Sequence, residues 1–386
     1  MNVVAVVAGV AIVLVTLVDA ADTLVSTRIR SGRWWPTEVF YRLTWFPWAA
    51  FGRRFRSESW RETVLSLFGP ASLLVLLALW VVGQILGWSL VWWGLRGSFA
   101  SPLTGWIDGL YYSGIVYFSV GFGDVLPGTG TTRVLALAEA FGGLATMGLV
   151  IGFVPSLLGA YQAREARLLR LDAFTAERIT PMALVTSYLD ERAGGRAALD
   201  DFFDDWEEWT AELMQGHASF PMLGLFRSQF VGQHWVTALG LVTDAAIVVL
   251  CASDDHRGPA LRQYRRSVRA IQAFCERIGV EPVEVDPISF ELFEAGYRTQ
   301  LGTLLHERSV REAYDAMIEL RSHFAPWMEA LIDALVAPLR VLGPRDRAAL
   351  VAGARRAAAA LTHAPLPGHR FPGVSVRASR SGRLHG

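Results

Sequence analysis

Three long stretches of this chain carry almost no charge, and they constrain its fold more than any other feature. Residues 3–18 are uncharged and rich in Val and Ala, 64–95 has no charged residue, and 134–163 has only Glu139. About 20 consecutive apolar residues cross the hydrocarbon core of a bilayer as a helix. The whole chain is 52% hydrophobic and 19% charged, whereas soluble domains carry about 25% charged residues. The runs therefore predict an all-α membrane protein with three spanning helices.

The first run has a competing interpretation as a secretory signal peptide. A signal peptide begins with positive charge, and residues 1–18 have none. Cleavage would also leave the Arg-rich stretch 28–61 outside the cell, although Arg favours the cytoplasmic side. We therefore expect residues 1–27 to form an N-terminal transmembrane helix.

The placement of Arg predicts the orientation of the spans. All 36 basic residues are Arg, and eight of them lie in 28–61 against two Glu. Arg164, Arg167 and Arg170 directly follow the third run. Because basic loops favour the cytoplasm, we expect 28–62 and everything after about 164 to be cytoplasmic. The chain would then be a multi-pass protein of the cell (inner or plasma) membrane, with the lipid bilayer as a partner.

The stretch 28–62 also holds many aromatic residues, among them Trp34, Trp35, Trp45, Trp48 and Trp60. Aromatic rings mixed with Arg are typical of a segment that lies on a membrane surface. We favour a cytoplasmic Arg- and Trp-rich interfacial loop here. The alternative is an ordinary connector whose aromatics pack on the C-terminal domain.

The segment between the second and third runs, residues 106–127, reads WIDGLYYSGIVYFSVGFGDVLP. Asp108 to Tyr117 predicts three helical turns, and Asp108 lies near the start, where a helix favours an anion. The Gly-rich part that follows does not continue a helix comfortably. A Gly-Phe-Gly-Asp run alone is often a turn. Its position between two spans, after a short helix, favours a re-entrant loop instead.

This segment resembles the filter of the potassium-channel pore family, whose pattern is a pore helix, then T-V-G-Y-G-D, then an inner helix. Two conservative changes separate that pattern from the residues here, which are Ser119, Val120, Gly121, Phe122, Gly123 and Asp124. Flanking residues also match family positions: Asp108, Leu110, Tyr111, Tyr112, Ser113, Pro127, Arg133 and Glu139. The resemblance covers about residues 64–163. It implies a potassium-channel pore domain over 63–163, with an outer helix, a re-entrant pore helix with selectivity filter, and an inner helix.

The resemblance also implies how the filter works. Backbone carbonyl oxygens replace the water around a dehydrated K⁺ ion. K⁺ would bind at Ser119, Val120, Gly121 and Phe122, and Gly123 would complete the filter. Gly121 and Gly123 would take unusual dihedrals, which cost glycine little. The side chains of Val120 and Phe122 would point away from the axis.

Two residues, Asp124 and Glu139, are expected to support the filter. Each chain has one filter segment, so a closed pore needs a homotetramer. K⁺ would be the permeant ion, and no cofactor is expected. The intact Gly-Phe-Gly favours K⁺ selectivity over a nonselective pore. The family often has Thr where this chain has Val116 and Phe118, which puts the rigidity of the filter in question.

The third run is expected to line the inner pore. Gly142 and Gly143 lie in its middle and are candidates for a gate hinge, because Gly permits bending. Close helix packing through small residues is the equally weighted alternative, and it is favoured for Gly148 and Gly152. Glu139 lies near the outer end, so a role behind the filter is favoured over one in the ion pathway.

Residues 164–362 predict a helical cytoplasmic domain, followed by a disordered basic tail over 363–386. Apolar residues repeat with helical spacing at Leu199, Phe202, Phe203, Trp206, Trp209 and Leu213. The acidic residues of 200–208 are expected to form a solvated face; docking on 28–61 and divalent-cation sensing are the sharper alternatives. Residues 235–252 favour a buried helix over a fourth span, because Asp244 interrupts them. Later helices are expected over 259–279, 287–306, 309–340 and 344–362.

The sequence carries no signature of catalysis, so an enzyme is not expected. It has no Gly-rich dinucleotide motif and no phosphate-binding loop, and neither a nucleotide site nor a nucleic-acid partner is indicated. A pH role for His217 or His234 is a weak alternative. The chief alternative function is a membrane-anchored sensory or regulatory protein with a degenerate or nonselective cation pore. A potassium-transporter subunit is disfavoured, because such transporters fuse four pore-like repeats in one chain.

Overall fold

The computed structural model of the chain describes residues 2–25, 35–172, 180–189, 194–229, 233–253, 257–301 and 308–338. Regular structure in these residues is helical, and Phe99 and Pro127 form an isolated β-bridge. The prediction of an all-α membrane protein is thus confirmed. The predicted helix over 344–362 and the predicted tail over 363–386 lie outside the described residues.

The membrane part consists of a long N-terminal helix, two connecting helices and a pore-like unit of three helices. These are α1 (Val3–Val25), α2 (Pro36–Gly52), α3 (Glu58–Ser66), α4 (Phe68–Gly94), α5 (Trp106–Tyr117) and α6 (Gly130–Asp172). The C-terminal domain is built from α7 (Pro181–Leu189), α8 (Gly195–Ser219), α9 (Trp235–Ala252), α10 (Arg257–Ile278), α11 (Phe290–Gly296), α12 (Val310–Ser322) and α13 (Ala325–Leu335). The end of α4 and α6 that lies beside α5 is called the filter end, and the opposite end is called the domain end.

The N-terminal helix α1 lies antiparallel along α4, and glycines bring the two backbones together. A Cβ atom on Gly87 would lie 3.0 Å from the carbonyl oxygen of Gly9. At the filter end, the backbone N–H of Asn2 donates to the carbonyl of Gly94 over 2.9 Å. Small residues are the usual means of close helix packing in membranes. The predicted N-terminal helix is therefore packed against the outer helix of the pore-like unit.

Polar side chains join α1 and α4 nearer the domain end. Gln84 Nε2 donates to the Val13 carbonyl over 3.0 Å and to Thr16 Oγ1 over 2.9 Å. Trp80 Nε1 donates to Asp19 Oδ2 over 2.8 Å. Polar groups inside a membrane protein need internal partners, because hydrocarbon offers none. The Trp80 bond gives the buried carboxylate of Asp19 a donor, and the Gln84 bonds give the amide of Gln84 its acceptors.

The described part of the stretch 28–62, predicted to be an interfacial loop, forms the helix α2, a short non-helical link and the start of α3. One face of α2 packs on the C-terminal domain, where Trp45 is buried and its Nε1 donates to the Ala334 carbonyl over 3.0 Å. Arg53 forms an ion pair with Asp333 at 3.0 Å. The connector interpretation therefore holds for this face of α2.

The helix α9 is the centre of the C-terminal domain, and every one of its residues is buried. Length and composition alone would let it cross a membrane. Its carboxylate, Asp244, instead forms a buried ion pair with Arg321 of α12. The structure thus favours the buried-helix interpretation of 235–252.

The acidic helix α8 buries its predicted apolar face. Its carboxylates bind Arg side chains of neighbouring helices: Asp204 contacts Arg262 at 2.5 Å, and Glu207 contacts Arg266 at 3.0 Å. Glu208 contacts Arg167 of α6 at 3.2 Å. These three carboxylates are thus paired with Arg residues of α6 and α10, and docking of the acidic face on 28–61 stays a prediction.

Some predicted helix boundaries are wrong. The described part of 309–340, which ends at 338, forms two helices rather than one, with a break near Phe324 and with Pro326 in the first turn of α13. Proline lacks an N–H and favours the start of a helix over its interior. Residues 287–306 hold the short helix α11 and a π-helical turn over Tyr297–Leu301. At the expected domain boundary at 164, α6 continues as one helix to Asp172.

Candidate functional site

The predicted filter segment, residues 119–124, has an unusual alternating backbone. The φ angles of Ser119, Gly121 and Gly123 are +56°, +59° and +81°. Positive φ is readily adopted by glycine and is uncommon for other residues. The unusual dihedrals expected at the two glycines are present, and Ser119 adds a third that the sequence did not indicate.

The hydrogen bonds of this segment fix the direction of two carbonyl groups. The N–H groups of Val120 and Gly121 both donate to the Ile115 carbonyl at the end of α5, over 2.8 and 3.4 Å. The described residues contain no cis peptide bond, and in a trans peptide the N–H and the preceding C=O point in opposite directions. The carbonyls of Ser119 and Val120 therefore point the same way, away from α5. This is the arrangement that a row of oxygen ligands requires.

The side chains of Val120 and Phe122 in this segment are largely exposed in a single chain. Phe122 is 70% exposed and Val120 is 50% exposed. The neighbouring part of α5 does not cover them. Phe118, one of the departures from the family pattern, is also exposed, and Val116 is half-buried.

Two carboxylates accept hydrogen bonds at α5, one at the start of the helix and one from a residue in its middle. Asp108 Oδ2 accepts from the backbone N–H and the hydroxyl of Thr104, over 2.8 and 2.6 Å, and so caps the helix start. Asp124 Oδ2 accepts from the hydroxyl of Tyr111 over 2.8 Å. The second bond joins the outer end of the filter segment to the helix that precedes it.

Glu139 joins three helices behind the filter segment. Its Oε2 accepts from Trp92 Nε1 of α4 over 2.7 Å, and its Oε1 lies 2.5 Å from Ser113 Oγ of α5. Ser113 Oγ also lies 2.9 Å from the Ile85 carbonyl of α4. We call Trp92, Ser113 and Glu139 the carboxylate clamp.

Sequence reasoning missed the role of Trp92. Trp92 lies near the end of the second uncharged run, and in the structure it is fully buried. The lone carboxylate in the third run could have indicated this role. A buried Glu needs a hydrogen-bond donor, and the indole N–H of Trp92 on the neighbouring span is one.

The two glycines proposed as a hinge have different surroundings. A Cβ atom on Gly143 would collide with the carbonyl oxygen of Tyr117, the last residue of α5. A Cβ atom on Gly142, Gly148 or Gly152 would meet open space within this chain. Close packing therefore accounts for Gly143, whereas a hinge role for Gly142 stays a prediction.

The domain end of α6 is bound to one segment of the C-terminal domain, residues 220–227, which we call the wedge segment. Arg164 donates to the carbonyls of Leu223 and Phe226 over 2.9 and 2.8 Å. The Tyr161 hydroxyl donates to the Arg227 carbonyl over 3.0 Å. Backbone acceptors at three positions thus hold the last turns of the inner helix.

The wedge segment also contacts α4 and α13. The ring of Phe226 lies against Gly69 near the start of α4. Arg227 donates to the Leu335 carbonyl over 2.6 Å and lies 3.5 Å from Glu62. Burial lowers the pKa of Arg227 to about 10, and the charge of Glu62 partly offsets this. Arg227 stays charged at neutral pH, and the wedge segment joins both pore helices to the domain.

The two candidate pH sensors are buried next to the wedge segment. Burial, with a contribution from Arg164, lowers the pKa of His217 to about 3. Burial also lowers the pKa of His234 well below its usual value. Both imidazoles are therefore neutral across the physiological range, which argues against the pH role. Among the described residues, no cluster of three His, Cys, Asp or Glu side chains could hold a metal ion.

The described arrangement is an outer helix, a short helix followed by a loop with aligned carbonyls, and a long inner helix. Residues 74–159 match the sequence model of a family described as "Ion channel". The match makes these residues similar to ion channels.

One curated relative is a further guide. The chain is 29% identical over 107 residues to the "Uncharacterized membrane protein YdjJ" of Bacillus subtilis (strain 168). The alignment covers 27% of this chain and 31% of that protein, so it spans about a third of the relative's length. No solved structure matches the chain. Both matches agree with a multi-pass membrane protein.

Proposed function

We propose that this protein is one subunit of a potassium-selective channel in which four copies surround a single pore. The observation that carries the proposal is the common direction of the Ser119 and Val120 carbonyls, set by two N–H groups that share the Ile115 carbonyl. Four such segments around one axis would give rings of oxygens for a dehydrated K⁺ ion. Gly121, Phe122 and Gly123 would continue these rings outward.

The exposed apolar side chains support the homotetramer. In one chain Val120, Phe122 and Phe141 are exposed, the last at 74%. Large exposed apolar surfaces mark interfaces or contact with lipid. Neighbouring copies would cover the filter side chains. Cross-linking in mild detergent should give a ladder that ends at four chains, and a ladder that ends at two would contradict the tetramer.

Hydrogen bonds of neighbouring side chains would support the filter. Asp124 would hold the outer end through Tyr111, and Glu139 would hold the back through Trp92 and Ser113. The C-terminal domain would lie in the cytoplasm, because the stretches rich in Arg flank the domain ends of the spans. Protease added outside sealed cells should then spare the domain, and cleavage there would reverse the orientation.

Potassium flux into proteoliposomes tests the filter, with Gly121→Ala as the decisive variant. The Gly121 Cα faces open space, so the Ala methyl group has room. The obstacle is the φ of +59°, because a left-handed conformation costs an L-residue about 1–2 kcal/mol. Gly97→Ala is the matched control, since Gly97 also faces open space and is outside the filter segment.

We expect Ba²⁺-sensitive K⁺ flux that exceeds Na⁺ flux in the parent and in Gly97→Ala, and that is lost in Gly121→Ala. Equal K⁺ and Na⁺ flux would support the nonselective alternative. Absence of flux in the parent would support a membrane-anchored regulatory protein with a degenerate pore.

A further inference from the structure

The helices α2 and α3 present a second face that the C-terminal domain does not cover. Leu43 is 68% exposed, Phe46 53% and Trp60 64%. The opposite face of α2 buries Trp45 and Ala49. Three large apolar side chains exposed within one short segment are more than scattered surface residues, and such a patch usually marks an interaction surface.

This face lies at the border between the membrane helices and the domain. The Thr37 hydroxyl at the start of α2 donates to Asp19 Oδ2 of α1 over 2.6 Å. Trp48 Nε1 donates to the Val64 carbonyl of α3 over 3.0 Å. Leu67, just before α4, and Leu74, within its first two turns, are also exposed. Exposed apolar side chains thus occur both on α2 and α3 and at the domain end of a candidate membrane span.

The charged side chains of α2 and of the turn after it are mainly positive, and Glu38 of α2 interacts with the charge of Arg42. Arg42, Arg54 and Arg56 are exposed. The carboxylate of Glu62 is buried and faces Arg227. Apolar side chains flanked by Arg fit the interface of a bilayer, where the chains enter the headgroup region and the guanidinium groups meet lipid phosphates. An isologous contact with a second copy would instead bring like charges together.

We propose that this face of α2 and α3 binds the membrane leaflet on the side of the C-terminal domain, and that Arg42, Arg54 and Arg56 select anionic phospholipid there. Because the other face of α2 is bonded to α13, the same short helix would connect the lipid surface with the domain. The proposal depends on the multi-pass membrane architecture and does not depend on potassium selectivity.

The accessibility of a spin label to oxygen and to a water-soluble reagent tests whether this face of α2 lies in the membrane. Leu43→Cys and Phe46→Cys are labelled in proteoliposomes and exposed to oxygen, which concentrates in lipid, and to a water-soluble nickel chelate. Leu74→Cys on α4 is the lipid control, and Val283→Cys, at an exposed site of the C-terminal domain, is the water control. The native Cys251 and Cys275 are buried, and the unsubstituted chain gives the background.

We expect the labels at 43 and 46 to show oxygen accessibility between those of the two controls, with low accessibility to the nickel chelate. Accessibility equal to that of the Val283 site would place the face in water and overturn the proposal. Shielding from both reagents would show that protein covers the face, and this too would overturn it.

A comparison of an anionic with a zwitterionic lipid tests whether Arg42, Arg54 and Arg56 select anionic phospholipid. A dye at Leu43→Cys is quenched by brominated phosphatidylglycerol or by brominated phosphatidylcholine at equal mole fraction. We expect stronger quenching by the anionic lipid, with the preference falling about fivefold for each Arg replaced by Gln among Arg42, Arg54 and Arg56. The matched control, Arg265→Gln on the exposed side of α10, should leave the preference unchanged. Equal quenching by both lipids in the parent would refute the selection of anionic lipid.

Discussion

Replacing Glu139 tests whether the pore domain depends on the carboxylate clamp. Glu139→Leu removes the acceptor of Trp92 Nε1 and the partner of Ser113, at a position where Glu139 is fully buried. An orphaned buried donor costs about 1–3 kcal/mol, and a hydrogen bond between membrane helices contributes about 0.6 kcal/mol on average. The variant should therefore lose about 2–4 kcal/mol of stability.

Glu139→Gln should behave differently, because its amide can keep both contacts. The amide oxygen accepts from Trp92, and the amide N–H donates to Ser113 Oγ. The Ser113 hydroxyl has a single proton, which is then free to donate to the Ile85 carbonyl 2.9 Å away. We expect Glu139→Gln to remain within about 1 kcal/mol of the parent, since no buried group loses its partner.

The assay is thermal unfolding in detergent, combined with ion flux and a double-mutant cycle with Trp92→Phe. Phenylalanine keeps a ring against Phe99 and Tyr112, which contact the indole now. It removes the N–H donor and part of the indole volume, and the cycle cancels the cost of that volume because both Trp92→Phe variants carry it. The coupling between Trp92→Phe and Glu139→Leu should be about 1.5 kcal/mol. Coupling below about 0.5 kcal/mol, the limit for independent sites, would refute the clamp. Equal losses in the Gln and Leu variants would refute the hydrogen-bond account.

Glycine and histidine substitutions test three other parts of the structure. Gly87→Val places a Cβ 3.0 Å from a carbonyl of α1, so it should lower the melting temperature by an amount equivalent to about 1–3 kcal/mol; an unchanged melting curve would contradict the close packing of α1. Gly142→Ala should alter single-channel open probability without changing K⁺/Na⁺ selectivity, and unchanged gating would remove the hinge. Gly143→Ala should instead displace Tyr117 and lower selectivity, which the same recordings measure. For His217, whose pKa is about 3 in the folded chain against an ordinary 6.5, protons bind the unfolded state first as the pH falls, so stability present above pH 6.5 declines below it. Between pH 7.5 and 5.5 this loss is about 1.4 kcal/mol, and His217→Phe should remove that part of the pH dependence; an unchanged slope would contradict the buried neutral imidazole.

The parts of the pore domain that follow local rules were predictable. Gly and Asp residues set the limits of α5, which was expected from Asp108 to Tyr117 and begins at Trp106. The glycines indicated the positive φ angles at 121 and 123. Ser119 at +56° was not predictable, because a non-glycine residue takes that conformation only when its surroundings hold it there.

The contacts between distant parts of the chain were not predictable. Arg164 bonds to the backbone carbonyls of Leu223 and Phe226, and backbone acceptors have no signature in a sequence. The sequence also did not show which face of α2 is buried, since Trp45 and Phe46 are both large aromatic residues. Burial separates them, and burial depends on where α13 packs.

In a tetramer of this chain, the wedge segments would make the position of the four inner helices sensitive to small changes in the four C-terminal domains. Each copy would hold its own inner helix through Arg164, so a concerted movement of four inner helices would break the same bonds four times. A change of about 1 kcal/mol in one copy, the contribution of a single hydrogen bond, becomes about 4 kcal/mol for the assembly. That sum corresponds to about a thousandfold change in the ratio of open to closed channels. A small free-energy change in each C-terminal domain would thus be multiplied fourfold in the equilibrium between the open and closed pore.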